Sequence, residues 1–428
     1  MKKIFYFLAI LSVGFSLTAC SNSNSDGDNA NVNKYEDKTY GYQAIDACNN
    51  VVTHLTNANK TISNAQLTTD QETFLRNVLS NLTKEVIIPT YTQLADDVED
   101  LEKTLHGLTV NTITQAQLDK ACSDFKKARQ NWERSEAFLM GAASDFDIDP
   151  TIDSWPLDRA LLSNYFKNGM SDEMLEDASI LGFHALEFIL FRDGQNRKVA
   201  DLKSNDTYTN FEKISGAEEL KYAQIICSLL KERCFQLQVA WEGETAANAN
   251  RVAVVQNAGL DYTTEKGLSF SENLVKAGVS GSNSTFSTLQ AAIQQVLSAD
   301  EGSCVGIANE VGTTKITNPF ANADIAYVES PYSYNSITDF QDNIRSIRNV
   351  WYGSTNGQPA DISFSTFFNN VGQTALNNQM VGAINGAINA IGNMPSPFVK
   401  YCSIVWGKDL TTLTIGSLSL SKTSRITV

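Results

Sequence analysis

The chain has 428 residues, of which 42% are hydrophobic, and its 48 acidic and 33 basic side chains give a formal net charge of −15. This excess of acid argues against a nucleic-acid partner, because phosphate recognition needs a basic surface. It suits a soluble protein and offers many carboxylates to hard cations.

The N-terminus predicts an address in the bacterial cell envelope. Two lysines and an apolar run at residues 4–17 are typical of a signal peptide, and Leu17-Thr18-Ala19-Cys20 matches a lipobox. We expect residues 1–19 to be removed and Cys20 to carry lipid that anchors the protein to the outer membrane, on its periplasmic side or at the cell surface. An ordinary secretory peptide is the alternative. The polar stretch that completes residues 20–35 reads as a flexible tether.

Six further cysteines follow Cys20, an even number in a compartment that permits disulfides. They pair with one another or remain free and buried, and the sequence leaves both alternatives open. The absence of any CxxC spacing argues against a cysteine zinc site.

Hydrophobic periodicity predicts an all-α protein. The predicted helices, in chain order, are 35–59; 70–106, with Asp70 as N-cap and a kink at Pro89; one from a capping box at Thr114 through Phe138; one from Ser171 to about Gly194; 217–241; 286–298; one from a capping box at Ser336 through Trp351; and 364–391. A strand is predicted at 410–420, where apolar residues alternate.

The predicted organisation is two helical-bundle halves. Residues 36–242 form the first, 243–283 an irregular connection rich in Gly, Asn and Ser, and 284–428 the second half and tail. The pattern apolar-basic-x-x-Arg-x-x-Trp occurs at 125–132 and again at 344–351, as an internal duplication would produce. A chance match is the alternative.

His184 and Glu187 are the most informative pair for function. They lie three residues apart on a predicted helix, so their side chains leave the same face. The helix is otherwise apolar nearly all round and should be buried, which makes the pair its polar exceptions. Gly182, predicted mid-helix, costs about 1 kcal/mol against Ala, which indicates close approach of another backbone or a ligand. A structural histidine with satisfied hydrogen bonds is the alternative.

Two common metal motifs do not fit. Zinc peptidases of the HExxH type need Glu and His where this chain has Ala185 and Phe188. The acidic segment 145–153 lacks the Gly and Glu of an EF-hand loop, since Pro150 and Pro156 occupy those positions. That segment is either a solvated turn or the source of a carboxylate for a shared metal site.

A third constellation lies on the helix that follows Thr114. Trp132 and Glu136 share a face there, flanked by Arg129 and Ser135. Arg129 holds a carboxylate or an anion in one interpretation and forms a structural ion pair in the other.

Gly182, His184 and Glu187 spell GxHxxE, and at this motif the chain resembles the imelysin-like family of bacterial surface lipoproteins, also called peptidase family M75. Segments 132–141, 152–158 and 329–333 support the resemblance. It implies two helical halves related by duplication, with the motif near their junction. Relatives include an iron-regulated surface protein and a periplasmic component of ferrous-iron uptake, and the founding member was described as a peptidase.

The first functional hypothesis is therefore an envelope lipoprotein that binds a metal ion, with iron as the predicted cation, and delivers it to an uptake transporter. The predicted ligands are His184 and Glu187, then Glu136 and Asp158. The predicted supporting residues are Gly182, Arg129, Trp132, Ser135, Trp155 and Ser333. The alternatives are a metallopeptidase with Glu187 as general base, and a surface scaffold in which the motif is structural.

Overall fold

The computed structural model describes residues 34–170, 175–206 and 215–407. Within these ranges the protein is all-α, as predicted, apart from one short antiparallel hairpin in which Phe191 pairs with Asn196. The predictions for the signal peptide, Cys20, the tether up to residue 33, the Ser171 cap and the strand at 410–420 lie outside the described residues.

The hairpin strands are β1 (Phe191–Arg192) and β2 (Gln195–Asn196). Short 3₁₀ turns lie at Lys34–Glu36, Glu136–Phe138, Ala178–Ile180 and Ile325–Tyr327, and π turns at Thr83–Ile87 and Val311–Ile316. The α-helices are α1 Thr39–Ser63, α2 Thr69–Leu82, α3 Ile88–Leu105, α4 Gln115–Glu133, α5 Ala142–Asp145, α6 Ile148–Ile152, α7 Arg159–Lys167, α8 Gly182–Leu190, α9 Val199–Lys203, α10 Gly216–Glu242, α11 Ala249–Asn257, α12 Phe270–Val275, α13 Leu289–Ser298, α14 Cys304–Glu310, α15 Thr317–Phe320, α16 Ser336–Tyr352, α17 Phe364–Asn370, α18 Thr374–Asn393 and α19 Phe398–Val405.

The long second helix predicted from the sequence is two helices joined by a π turn. Thr68, and not Asp70, is the N-cap of α2, where it forms a capping box with Gln71. The π turn ends two residues before Pro89, which has no N–H to donate to the carbonyl four residues back. The predicted kink at this proline is thus a local change of hydrogen-bonding register.

The capping box at Thr114 is confirmed, because its side chain accepts from the Gln117 N–H and the Gln117 side chain accepts from the Thr114 N–H. The Ser336 capping box is wrong: Asn335 precedes α16, and the Ser336 hydroxyl donates to the Glu329 carbonyl instead.

Other parts of the chain also differ from the prediction. Within the described residues, the helix predicted from Ser171 to about Gly194 is present only as α8. The helix predicted at 364–391 is broken into α17 and α18 around Gly372, whose φ of +75° is incompatible with a right-handed helix. The connection predicted as irregular contains α11 and α12. The helices α14 and α15, with the π turn between them, were not predicted.

The helices from Lys34 onwards pack into one compact unit with two groups of neighbours. In the first group α3 lies against α4 and α10, and α8 lies against α10. In the second group α1 lies against α13, α14 and α18, and α16 lies against α14 and α18. The groups meet where α16 packs on α4. The N-terminal helix α1 therefore belongs with C-terminal helices; the predicted domain boundaries and the duplication stay predictions.

A continuous apolar core runs through both groups. All six cysteines in the described residues are free and buried, which resolves the two alternatives in favour of thiols. None of the described helices combines the length and the apolar content needed to cross a membrane.

Candidate functional site

The site begins at a close approach between two backbones. Gly182 is the first residue of α8, so the prediction that it lies mid-helix is wrong. Its φ is +71°, and a Cβ added there would lie 2.1 Å from the carbonyl oxygen of Ile152. The predicted close approach of a backbone is therefore present, and it brings Asp153, the residue after Ile152, beside His184.

His184 is buried and lies among three carboxylates. Its Nε2 is 3.0 Å from Oδ1 of Asp153 and 3.7 Å from Oε1 of Glu329, and its Nδ1 is 3.8 Å from Oε2 of Glu187. The ring of Trp155 covers the imidazole at a centroid distance of 4.3 Å. One ligand atom from each of Asp153, His184 and Glu329 lies within 4.8 Å of the others. We call these three residues the acceptor cluster.

Helix α4 holds the acceptor cluster from one side. The guanidinium of Arg129 contacts Asp153 through Nη1, and Glu329 through Nη2 at 2.6 Å; the same Nη2 also contacts Glu133. The indole Nε1 of Trp132 donates to Oδ2 of Asp153 at 2.7 Å. Arg129 and Trp132, two of the predicted supporting residues, thus both hold the carboxylate of Asp153 in position.

Lys315 holds Glu329 from the other side. Its Nζ lies 2.9 Å from Oε2 of Glu329 and 3.6 Å from Oε1 of Glu310. Lys315 belongs to the π turn between α14 and α15, a type of distortion that is frequent at functional sites.

Glu187 ties α8 to the segment that carries Glu329. Its Oε1 accepts hydrogen bonds from the Tyr332 N–H at 3.2 Å, the Ser333 N–H at 2.7 Å and the Ser333 hydroxyl at 2.6 Å. Its Oε2 faces His184 and accepts no hydrogen bond from the described residues. The geometry makes Glu187 an anchor for this segment, with one oxygen left over.

Two further carboxylates lie behind the cluster. Asp339 on α16 accepts from the Ser330 hydroxyl at 2.5 Å, and Glu133 accepts from the Asn343 side chain. Burial raises the pKa of Asp339 to about 7, although Arg129 opposes this. Burial likewise raises the pKa of Glu133 well above its ordinary value, again against the effect of Arg129. Burial thus favours the neutral form of both groups.

The carboxylates of the acceptor cluster behave in the opposite way. Burial would raise the pKa of Asp153, but Arg129 and His184 outweigh it and hold the pKa below its usual range. Burial would also raise the pKa of Glu329, and Lys315 and Arg129 hold it below the ordinary value. For His184, burial and Arg129 lower the pKa, but Asp153 outweighs them and leaves it above 6.5. Two ionised carboxylates thus face an imidazole that readily takes a proton.

The family model for imelysin, peptidase M75, matches residues 87–418, which include every residue of the acceptor cluster. The chain belongs to the imelysin family. Iron-regulated protein A of Synechococcus elongatus is 24% identical to this imelysin over 269 residues, 63% of this chain and 62% of that protein, so the match spans about three fifths of the relative. A crystal structure described as an iron-regulated protein A precursor from Parabacteroides distasonis has a TM-score of 0.59 at 23% identity and covers 81% of this chain and 96% of its own; it supports the fold.

Not every residue predicted for the site lies in it. Asp158 is exposed and caps α7, where its Oδ1 accepts from the Leu161 N–H at 2.8 Å. Glu136 is buried in the 3₁₀ turn after α4, with a pKa that burial raises well above its usual range. The Ser135 hydroxyl donates to the Trp132 carbonyl at 2.7 Å. These three residues contribute no atom to the acceptor cluster of this imelysin.

Sequence reasoning named neither Asp153 nor Glu329 as a ligand. Asp153 ends the acidic segment 145–153, and its buried ion pair with Arg129 rules out a solvated turn at that residue; the contribution of its carboxylate to a metal site stays a prediction. Glu329 belongs to the segment 329–333, which supports the family resemblance, but no role as a ligand is predicted for it from the sequence. No sequence pattern indicates that Lys315 or Asp339 lies at the site, because a buried lysine or aspartate is recognised only by its neighbours in space.

Proposed function

We propose that this imelysin captures a metal cation at the acceptor cluster and delivers it for uptake, with iron as the expected metal. The observation that carries the proposal is the convergence of Asp153, His184 and Glu329 within 4.8 Å. Two carboxylates and one imidazole form a mixed oxygen and nitrogen set, which suits iron. The relative named for iron regulation supports the choice of metal.

The donor chemistry fits a cation in two further respects. Asp153 and Glu329 both have pKa values below the ordinary range, so they offer negative charge at any pH near neutrality. Oε2 of Glu187 lies on the Nδ1 side of the imidazole, 3.8 Å from that nitrogen, so it can orient the ring with Nε2 toward Asp153 and Glu329. A cation bound here would need His184 in its neutral form.

We prefer capture to peptide hydrolysis. A general base must have an oxygen available for water, whereas Glu187 directs Oε1 to three donors of the segment 332–333 and turns Oε2 to Nδ1 of His184, away from the Nε2 side where the acceptor cluster converges. A panel of unstructured peptides incubated with the metal-loaded protein tests the alternative: cleavage that Glu187→Gln abolishes would favour the peptidase.

The envelope address is a separate part of the proposal and depends on the lipobox alone. We propose that Cys20 is lipidated and that the helical body faces the periplasm or the cell exterior, where it meets its cation before a transporter does. Metabolic labelling with a palmitate analogue checks this: label on the wild type and none on Cys20→Ala is expected.

Metal titration of the purified protein tests the site directly. We expect Fe²⁺, titrated without oxygen, to bind the wild type at one ion per chain, and His184→Ala and Asp153→Asn to bind at least about tenfold to a hundredfold more weakly. His106→Ala and Asp158→Asn are matched controls, because they remove an exposed imidazole and an exposed carboxylate elsewhere. Absence of binding by the wild type, or equal binding by His184→Ala with its fold intact, would refute the proposal.

A further inference from the structure

We infer that Arg129 is a built-in counter-cation: it occupies the ligand oxygens of the acceptor cluster and thereby sets the affinity for metal. This inference rests on the proposed function, since it concerns the same site. Its consequence is unusual for a residue in contact with a binding site, because removal of Arg129 should tighten the binding of a cation.

The contacts of Arg129 are made to the oxygens that face the imidazole. Nη1 contacts Oδ1 of Asp153, and Nη2 contacts Oε1 of Glu329 at 2.6 Å. These same two oxygens lie 3.0 and 3.7 Å from Nε2 of His184. A planar guanidinium that bridges two carboxylates in this way fills the position where a cation would find its ligands.

The other oxygen of each carboxylate is already engaged. Oδ2 of Asp153 accepts from the Trp132 indole at 2.7 Å, and Oε2 of Glu329 accepts from Lys315 at 2.9 Å. The oxygens that Arg129 holds are therefore the ones through which both carboxylates reach the imidazole. A metal ion and the guanidinium compete for them.

Glu133 is a contact that the guanidinium of Arg129 can keep when a metal binds. It lies one turn further along α4 and contacts the same Nη2, and the Asn343 side chain holds its other oxygen. The side chain of Arg129 is only 1% exposed, so it cannot withdraw into water. With Glu133 beside it, Arg129 keeps a hydrogen-bond acceptor when it releases Asp153 and Glu329.

A second buried arginine provides a matched control. Arg197 is also fully buried and bridges Asp206 and Glu219, none of which belongs to the acceptor cluster. Arg129→Gln and Arg197→Gln each remove one buried positive charge and should both lower the melting temperature of the metal-free protein. Only Arg129→Gln should change the affinity for Fe²⁺, by about tenfold or more toward tighter binding, because a like charge at ligand distance is lost.

The experiment is an anaerobic Fe²⁺ titration of wild type, Arg129→Gln and Arg197→Gln, with melting curves before and after saturation. Tighter binding and a larger metal-induced rise in melting temperature for Arg129→Gln alone support the inference. Equal or weaker binding by Arg129→Gln, with the wild type binding normally, overturns it and leaves the proposed function standing. No binding by any of the three proteins overturns both.

Lys315→Gln keeps the inference testable if Arg129→Gln fails to fold. Lys315 contacts Glu329 but neither of the other two residues of the acceptor cluster, so its removal should tighten Fe²⁺ binding by a smaller factor. Unchanged or weakened binding by Lys315→Gln would count against the counter-cation inference in the same way.

Discussion

Gly182→Ala tests whether the close backbone approach supports the site. The added methyl would lie 2.1 Å from the oxygen and 2.4 Å from the carbonyl carbon of Ile152, far inside van der Waals contact. Backbone atoms cannot rotate away as a side chain can, so either α8 or the segment that carries Asp153 must shift. The substitution therefore perturbs both the fold and the position of Asp153.

The expected cost has two parts. Alanine at a φ of +71° costs about 1–2 kcal/mol, because its Cβ crowds the following carbonyl. Relief of the overlap with Ile152 adds about 1–3 kcal/mol, the range for overpacked interiors. Together Gly182→Ala should lose about 2–5 kcal/mol of unfolding free energy, a large share of the roughly 5–15 kcal/mol that domains possess. Urea titration followed by circular dichroism measures this loss.

Gly107→Ala separates the two parts. Gly107 has a φ of +69°, nearly that of Gly182, but no atom lies within 4 Å of its added Cβ. It should lose only the conformational part, about 1–2 kcal/mol. If Gly182→Ala loses no more than Gly107→Ala, the close approach does not matter and the reasoning is refuted. Weaker Fe²⁺ binding by Gly182→Ala, but not by Gly107→Ala, would connect the approach to the site.

Three further predictions concern single groups. The pKa of His184 in the fold lies above 6.5, so its proton stabilises the metal-free protein fully below that pH, and this contribution is lost as pH rises through the raised value. The difference in unfolding free energy between wild type and His184→Gln should therefore shrink from about pH 5 to pH 9. A difference that stays constant over this range would contradict the prediction. Glu187→Ala should cost about 2–4 kcal/mol, since it strands the buried donors of Tyr332 and Ser333, whereas Glu187→Gln keeps an acceptor and should cost less in the same urea titration. Asp158→Ala should cost about 1 kcal/mol as a lost N-cap and leave the Fe²⁺ affinity unchanged; a weakened affinity would return Asp158 to the site.

The elements that sequence predicted well are those whose cause is local. The capping box at Thr114 needs only the residue three positions on, and the structure contains it. The surroundings of the start of α8 are distant in sequence: Gly182 indicates that a backbone or a ligand approaches there, but nothing in the sequence identifies that neighbour as Ile152. The break in the helix predicted at 364–391 was readable in principle from Gly372, whose positive φ ends a helix.

The candidate site divides in the same way. His184 and Glu187 could be predicted as a pair because residues three positions apart on one helix share a face. Their partners are distant in sequence: Arg129 and Glu329 are 200 positions apart, and Glu187 and Ser333 are 146 positions apart. A sequence pattern has no information on which aspartate or glutamate closes such a loop. Asp153 was within reach only as one member of an acidic run.

Buried charge by itself does not identify a binding site, and this chain contains a useful contrast. Arg192 and Arg197 form a cluster with Asp206 and Glu219, of which Arg197 and Glu219 are buried and the other two are half-buried. Its formal charges balance, two positive against two negative, and the described contacts include no imidazole. Such a cluster satisfies itself, since the paired charges offset one another's desolvation, and a structural role is sufficient to explain it.

The acceptor cluster is not balanced in this way. Arg129 and Lys315 supply two positive charges, while the carboxylates of Asp153, Glu329 and Glu187 carry three formal negative charges. The carboxyl groups of Glu133 and Asp339 behind them are left out of this count, because burial raises their pKa values and so favours their neutral forms. One positive charge is missing, and in the metal-free protein a proton on the imidazole supplies it. An imidazole suits a cation-binding site in this position, because such a site needs a ligand that exchanges its proton for the metal.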